Sequence, residues 1–130
     1  MFDNYVLSEK GFKNREENGK IIGYEMKTLI PYYRGIPLSM VHDVKVSVDG
    51  QEVDKKDILF TLDNETYFTP IEMETVTSYK WEYGKEATII VKKDGGLSKG
   101  KHDVRLEIVI RVSYIPVPFE GIGEKTFEIA

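Results

Sequence analysis

Hydrophobic residues recur at every second position along much of this 130-residue chain. The clearest stretch is HDVRLEIVIRVSY at 102–114, where apolar side chains fall on one face and charged or polar ones on the other, with Val109 as the exception. Side chains of a strand point to opposite faces in turn, so this alternation predicts a long strand with one buried face. The predicted buried residues are Val104, Leu106, Ile108, Ile110, Val112 and Tyr114.

Shorter segments repeat the alternation. They are DVKVSV at 43–48, DILFTL at 57–62 and KTFEI at 125–129. Their predicted inner residues are Val44, Val46, Val48, Ile58, Phe60, Leu62, Phe127 and Ile129. The segment ATIIVKK at 87–93 is apolar on both faces in its middle, which predicts a more central strand.

Turn signals separate these segments. Asp49-Gly50 and Asn18-Gly19 are the dipeptides that tight hairpins favour, because both central residues need positive φ. KDGGLSKGKH at 93–102 is interpreted as a hairpin loop. TPIEMET at 69–75 is the one candidate for a helical turn, with Pro70 at a tolerated early position.

This pattern predicts an all-β fold in which residues 1–130 form a single domain. Short strands joined by hairpin connections favour two antiparallel sheets packed face to face, a β-sandwich. A small barrel is the alternative.

Composition narrows the function classes. With 41% hydrophobic and 31% charged residues, the chain is typical of globular proteins. The net charge of -4 is spread over interspersed charges, so no basic patch points to nucleic acid and no basic amphipathic helix to a membrane surface. There is no cysteine, and the first ten residues lack the pattern of a signal peptide. A cytoplasmic location is expected.

Residues that could carry chemistry are few. His42 and His102 each precede an aspartate, and neighbours on a strand face opposite ways, so both histidines are interpreted as structural or solvated. The acidic residues of 71–86 lack ligand spacing and are interpreted as a solvated strand edge. The glycines of 93–100 lack the GK[ST] ending of a phosphate loop. We therefore predict no catalytic residue and no metal ligand in this chain.

The aromatic loop LIPYYRGIPLSM at 29–40 is a stronger lead. Tyrosine and arginine are enriched in interface hot spots, and prolines reduce the entropy lost when a loop docks. YKWEYG at 79–84 has the same character. The competing interpretation is that both segments fold back over the open end of their own sandwich.

The order of these motifs resembles a known family. GFKN at 11–14, IPYYRGIPLSM at 30–40, EMET at 72–75 and KDGGLSKGKH at 93–102, with the segments between them, are similar to the small β subunit of bacterial C-glycoside deglycosidases. The resemblance runs from about Gly11 to Pro116. The stretch 30–40 is its most specific element.

The resemblance implies a heteromeric complex of αβ units. Its α subunit is expected to be a TIM barrel that carries the acid–base residues and a divalent metal of the Mn²⁺ or Mg²⁺ type, with no cofactor in this chain. The expected substrate is a 3-keto C-glycoside of a flavonoid or other aromatic aglycone. The ketone acidifies the C2 proton, a metal on the carbonyl oxygen stabilises the enolate, and the C–C bond breaks by elimination. The complex would be a carbon–carbon lyase.

On this interpretation the chain is an accessory subunit that walls the active site of its partner. The predicted wall or subunit interface comprises Tyr32, Tyr33, Arg34, Ile36, Pro37, Leu38 and Met40. A possible secondary interface comprises Tyr79, Trp81 and Tyr83. The alternatives are a carbohydrate-binding β-sandwich module without a catalytic role and a structural sandwich without a ligand.

Overall fold

A computed structural model of the chain describes residues 6–31, 35–111 and 119–129. Its strands are β1 (Lys13–Glu17), β2 (Lys20–Thr28), β3 (Ile36–Pro37), β4 (Val41–Val48), β5 (Gln51–Glu52), β6 (Ile58–Thr61), β7 (Lys80–Trp81), β8 (Ala87–Lys92), β9 (Gly100–Ile110) and β10 (Phe119–Ile129). One short α-helix, α1 (Pro70–Met73), and two 3-10 turns at Leu38–Met40 and Lys55–Asp57 complete the elements.

The strands form two four-stranded antiparallel sheets and a small ribbon. The first sheet has the order β1-β2-β8-β6, the second has the order β10-β9-β4-β5, and β3 pairs with β7. The apolar segment at 87–93 was predicted to be central, and β8 indeed lies between β2 and β6. The all-β sandwich is confirmed, and over the described residues neither sheet closes into a barrel.

The core lies between the two sheets, as the alternation predicts. On β9 the even-numbered residues from Val104 to Ile110 are buried, and Val109, the exception in the pattern, is also nearly buried. Other predicted core residues that are buried are Val44, Val46, Val48, Ile58, Phe60 and Ile129. Leu62 lies beyond the end of β6 and is only half-buried. Val112 and Tyr114 lie outside the described residues.

Two predicted hairpin turns are confirmed. Asn18 and Gly19 have φ values of 53° and 79°, and Asp49 and Gly50 have values of 52° and 81°. Positive φ at both central residues is the geometry that matches the twist of the flanking strands. The turns therefore fix the register of β1 with β2 and of β4 with β5.

The predicted hairpin loop at 93–102 is wrong. β8 belongs to the first sheet and β9 to the second, so the connection at 93–99 crosses between the sheets. The side chain of Asn14 holds it: Leu97 N–H donates to Asn14 Oδ1 at 2.8 Å, and Asn14 Nδ2 donates to the Leu97 carbonyl at 3.0 Å. A glycine-rich segment suits both a hairpin loop and a connection that crosses between sheets, so the local sequence does not distinguish the two.

The predicted helical turn is confirmed as α1. Thr69 forms a capping box, in which its hydroxyl accepts from Glu72 N–H and the Glu72 carboxylate accepts from Thr69 N–H. Pro70 occupies the first turn, where no backbone N–H is needed. Met73 anchors the helix in the core. No helix in the described ranges is long and apolar enough to cross a lipid bilayer.

The sandwich has two ends that are built differently. The turn end comprises the tight turns at 17–20 and 48–51 and the crossing connection at 93–99. The loop end comprises residues 35–42, residues 76–86 and Arg111, where β2 and β9 end and where β4 and β8 begin.

Candidate functional site

The two segments predicted to form an interface meet at the loop end. β3 pairs with β7 in antiparallel register, with Ile36 opposite Trp81 and Pro37 opposite Lys80. The chain then stays in contact, because Leu38 N–H donates to the Tyr79 carbonyl at 3.0 Å. Segments that are more than 40 residues apart in sequence therefore form one continuous surface element.

The apolar residues of this element differ from the prediction, because several lie in the core of their own chain. Ile36 is 4% exposed, and Leu38 and Trp81 are 0% exposed. The Trp81 ring packs edge-on against Phe60 with 5.1 Å between centroids, and its Nε1–H donates to the Lys85 carbonyl at 3.0 Å. Ile36, Leu38 and Trp81 thus support the loop end from inside and offer no packing surface to a second chain.

Other predicted site residues remain nearer the surface. Pro37, Met40 and Tyr79 are half-buried, and Tyr83 is 51% exposed. Tyr79 also has partners in its own chain, since its hydroxyl contacts Thr66 Oγ1 at 3.1 Å.

Tyr32, Tyr33 and Arg34 lie outside the described residues, so their place in the interface stays a prediction. Of the described residues on either side of them, Pro31 is buried and Gly35 is half-buried.

Gly35 permits the loop to approach the ribbon closely. A Cβ atom at this position would come within 2.9 Å of Glu82 Oε2 and 3.1 Å of the Trp81 carbonyl oxygen. Both distances are shorter than an ordinary van der Waals contact. The Glu82 carboxylate can rotate away, but the Trp81 carbonyl is part of the backbone of β7 and limits the room for a side chain at this position. The turn that follows β7 is closed by Lys85 N–H, which donates to the Glu82 carbonyl at 3.1 Å and leaves Tyr83 at its tip.

His42 and Arg111 are loop-end residues that the sequence patterns did not single out as a pair. The ladder between β4 and β9 pairs Val41 with Ile110 and Asp43 with Val109, so His42 is the extra residue of a β-bulge. Arg111 follows β9, and its N–H donates to the Met40 carbonyl at 2.9 Å. Single-residue bulges are hard to read from one sequence, because the alternation of β4 resumes directly after it.

The turn end contains a second arrangement of polar residues. His102 Nδ1 lies 2.7 Å from Asp49 Oδ2, and His102 Nε2 lies 2.7 Å from the Ser98 carbonyl oxygen. Asp49 Oδ1 also accepts from Asp103 N–H at 2.9 Å. Because both ring nitrogens face acceptors, only the doubly protonated imidazolium satisfies both bonds.

These contacts shift the titration of the turn end. The hydrogen bond to Asp49, followed by the one to Ser98, raises the pKa of His102 above its usual value. The hydrogen bond from His102, followed by the one from Asp103 N–H, lowers the pKa of Asp49. Burial raises the pKa of the neighbouring Tyr24 to about 12. The pair ties three segments together, which fits the prediction that His102 is structural.

The Asp49–His102 pair was missed because the partners are 53 residues apart. The available signal was the position of His102, which shares the inward-facing parity of Val104 and Leu106 on β9. A cavity of about 540 Å³ lies beside the pair, bordered by the carboxylates of Asp54 and Asp57 and by Lys92 and Lys93. In the described ranges, no group of three or more His, Cys, Asp or Glu side chains could hold a metal ion.

Comparisons with known proteins agree on one family. The family model for the C-glycoside deglycosidase beta subunit matches residues 2–114. A C-glycoside deglycosidase beta subunit of Eubacterium cellulosolvens is 36% identical over 115 residues, which cover 88% of this chain and 78% of that protein. A 3'-dehydrocarminate deglycosidase beta subunit of Microbacterium sp. is 29% identical over 96 residues, covering 73% and 70% of the two chains. A C-glycoside deglycosidase beta subunit of Arthrobacter globiformis is 25% identical over 108 residues, covering 79% of each chain.

Proposed function

This chain belongs to the C-glycoside deglycosidase beta subunit family, and we propose that it is the accessory subunit of a heteromeric enzyme that cleaves the carbon–carbon bond between a sugar and an aromatic aglycone. The name of a β subunit denotes a complex with another subunit. In this proposal the other subunit is a TIM-barrel α subunit that supplies the acid–base groups. The chemistry is therefore divided between two polypeptides.

The proposed substrate is a C-glycoside whose sugar carries a ketone at C3. Loss of the C2 proton to a base and protonation of the departing aryl carbon by an acid break the C–C bond by elimination. The products are an unsaturated ketosugar and the free aglycone, and no water is consumed. The Microbacterium relative is named for a 3'-dehydro substrate, which fits an oxidised sugar.

The observation that carries the proposed role is the pairing of β3 with β7 over the buried Trp81. This ribbon gives the loop end a rigid base, and the chain enters it directly from Tyr32, Tyr33 and Arg34. A segment anchored on a buried base suits the wall of a site on another chain, because little entropy is lost when it docks. We assign that wall to Tyr32, Tyr33, Arg34, Pro37 and Met40.

The divalent metal expected for this family is assigned to the α subunit in this proposal. The described part of this chain brings no set of ligands together that fits such an ion. No step of the reaction is therefore attributed to a metal held here.

The experiment is to purify this chain, a candidate α subunit encoded beside it, and the mixture of the two. Turnover of a 3-keto C-glycoside is expected only in the mixture. Arg34→Ala is expected to reduce complex formation or turnover, whereas Lys20→Ala, an exposed position at the turn end, serves as the matched control.

Full activity of the α subunit alone would contradict the accessory role. Unchanged assembly and turnover with Arg34→Ala would contradict the assignment of Arg34. Binding of oligosaccharides by this chain alone would instead support a carbohydrate-binding module.

A further inference from the structure

We propose that a small cavity at the loop end, lined by Ser39, Met40, His42 and Arg111, receives a carboxylate side chain of the α subunit. This inference rests on the proposed function, because it presumes a partner subunit at the loop end. It specifies one contact, between this positively charged cavity and an Asp or Glu side chain of the α subunit.

The backbone geometry places the side chains of His42 and Arg111 around the same opening. His42 is the extra residue of the bulge in β4, and bulges commonly redirect a side chain beside functional surfaces. Arg111 is held next to Met40 by the 2.9 Å hydrogen bond between its N–H and the Met40 carbonyl. The cavity therefore lies where β4 begins and β9 ends, with Ser39 and Met40 contributed by the 3-10 turn that precedes β4.

The charges around the cavity favour an anion. Its lining contains one arginine and one histidine and no acidic residue among the described residues. Both side chains are exposed, and no ion pair of either is found with the residues that the structure describes. By contrast, Arg15 lies 3.3 Å from Glu25, and Arg105 lies 3.1 Å from Glu124. Arg111 thus differs from the other two described arginines in a chain of net charge -4.

The size of the cavity favours a protein side chain over a glycoside. Its volume is about 200 Å³, whereas sites for drug-sized ligands are typically about 300–1,000 Å³. Met40 adds an apolar wall against which the methylene groups of an Asp or Glu side chain can pack. The cavity also adjoins the element formed by β3 and β7, so a partner docked there covers both.

The experiment measures the dissociation constant of the complex with the α subunit at several salt concentrations. Arg111→Ala is expected to weaken assembly by at least about tenfold, because a paired charge that becomes desolvated at an interface contributes strongly. Arg111→Glu should weaken it further, and Arg111→Lys should retain part of the affinity because it keeps the charge. His42→Gln should have a smaller effect in the same direction.

Lys99→Glu is the matched control, since it makes the same change of charge at an exposed position of the turn end. It is expected to leave the dissociation constant within about twofold, because exposed charges distant from an interface contribute little. The wild-type affinity should fall with added salt, and this dependence should weaken with Arg111→Ala. Each variant is checked by its thermal melting curve, which the exposed position of Arg111 should leave unchanged.

Equal affinity of wild type and Arg111→Glu would overturn the inference while leaving the proposed function standing. If Arg111→Glu left assembly unchanged but raised the KM for the 3-keto C-glycoside, the inference would also be overturned, because the cavity would then bind the substrate. Failure of the wild-type chain to assemble with an α subunit would overturn the proposed function itself.

Discussion

The two ends of the sandwich connect their strands in different ways. At the turn end, short connections satisfy their polar groups locally, and His102 ties β9 to the turn at Asp49 and to the connection at Ser98. At the loop end, longer segments pair with each other over the buried Trp81 and leave Tyr83, His42 and Arg111 exposed. The contacts described at the turn end join segments of this chain, whereas the loop end exposes residues that a second chain can cover.

The difference has a physical consequence for mutations. A change at the turn end is expected to act on folding, because the contacts described there join segments of this chain. With the loop end as the proposed docking surface, a change in its buried residues is expected to act on folding, and a change in its exposed residues on assembly.

Trp81→Ala is expected to have the largest effect. It empties a fully buried site and removes the ring contact with Phe60 and the hydrogen bond to the Lys85 carbonyl. Loss of a buried tryptophan costs about 3–5 kcal/mol of the free energy of unfolding. Urea denaturation measures this loss, and assembly should fall with it.

Trp81→Phe is the control, because it retains the aromatic contact and should cost much less. If Trp81→Ala left stability unchanged while abolishing assembly, Trp81 would be an interface residue after all, as the sequence pattern first indicated.

Tyr83→Ala should weaken assembly. Tyr83 is 51% exposed at the tip of the turn after β7, and tyrosine is enriched among the interface residues whose truncation costs more than about 1 kcal/mol of binding. Ile71→Ala is the control, since Ile71 is 73% exposed but lies on α1 outside the loop end. Calorimetric titration with the α subunit measures both, and an equal loss for the two variants would contradict a docking surface confined to the loop end.

Gly50 and Gly84 provide a matched pair across the two ends. Both have φ of 81°, and a Cβ atom at either position would meet no atom within 4 Å. Alanine at either position is therefore expected to cost about 1 kcal/mol of stability through backbone strain alone. Only Gly84→Ala, next to Tyr83, should also weaken assembly. Thermal melting and the dissociation constant test the two parts of this prediction separately.

The smallest expected effect is the pH dependence of the turn end. Because the pKa of His102 is raised on folding, its stabilisation is fully present below its unfolded pKa of about 6.5 and is lost as pH rises through the folded pKa. The pKa of Asp49 is lowered, so its contribution is lost only as pH falls through the acidic range. The difference in melting temperature between wild type and His102→Gln should therefore shrink above pH about 6.5. A difference that stays constant from pH 5 to 9 would contradict the imidazolium state.

The sequence predicts the sandwich well because its information is local. Alternation on β4 and β9 fixes which side chains face inward, and the Asp49-Gly50 turn fixes the register between β4 and β5. The glycine-rich connection at 93–99 was misread because a hairpin and a crossing between sheets use the same residues. Which sheet β9 joins depends on its pairing with β10, the next strand, and with β4, which is far away in sequence.

The sequence indicated that the two aromatic segments belong together, but it did not predict which of their side chains are buried. The aromatic composition of 29–40 and 79–84 pointed to one surface, and β3 and β7 do pair. Composition alone does not distinguish the buried residues Ile36, Leu38 and Trp81 from the exposed residues of the loop end. In an irregular segment, no alternation of polar and apolar positions shows which side chains face inward. The position of His42 beside Arg111 was not predicted, because a β-bulge cannot be recognised from the two-residue alternation of a strand.

The most direct test of the central claim is hydrogen–deuterium exchange on this chain, alone and in the complex with the α subunit. The account predicts slower exchange in peptides covering 29–42 and 79–86 on assembly, with the peptides covering 48–52 and 93–99 unchanged. Protection of the turn end with unchanged exchange at the loop end would contradict it.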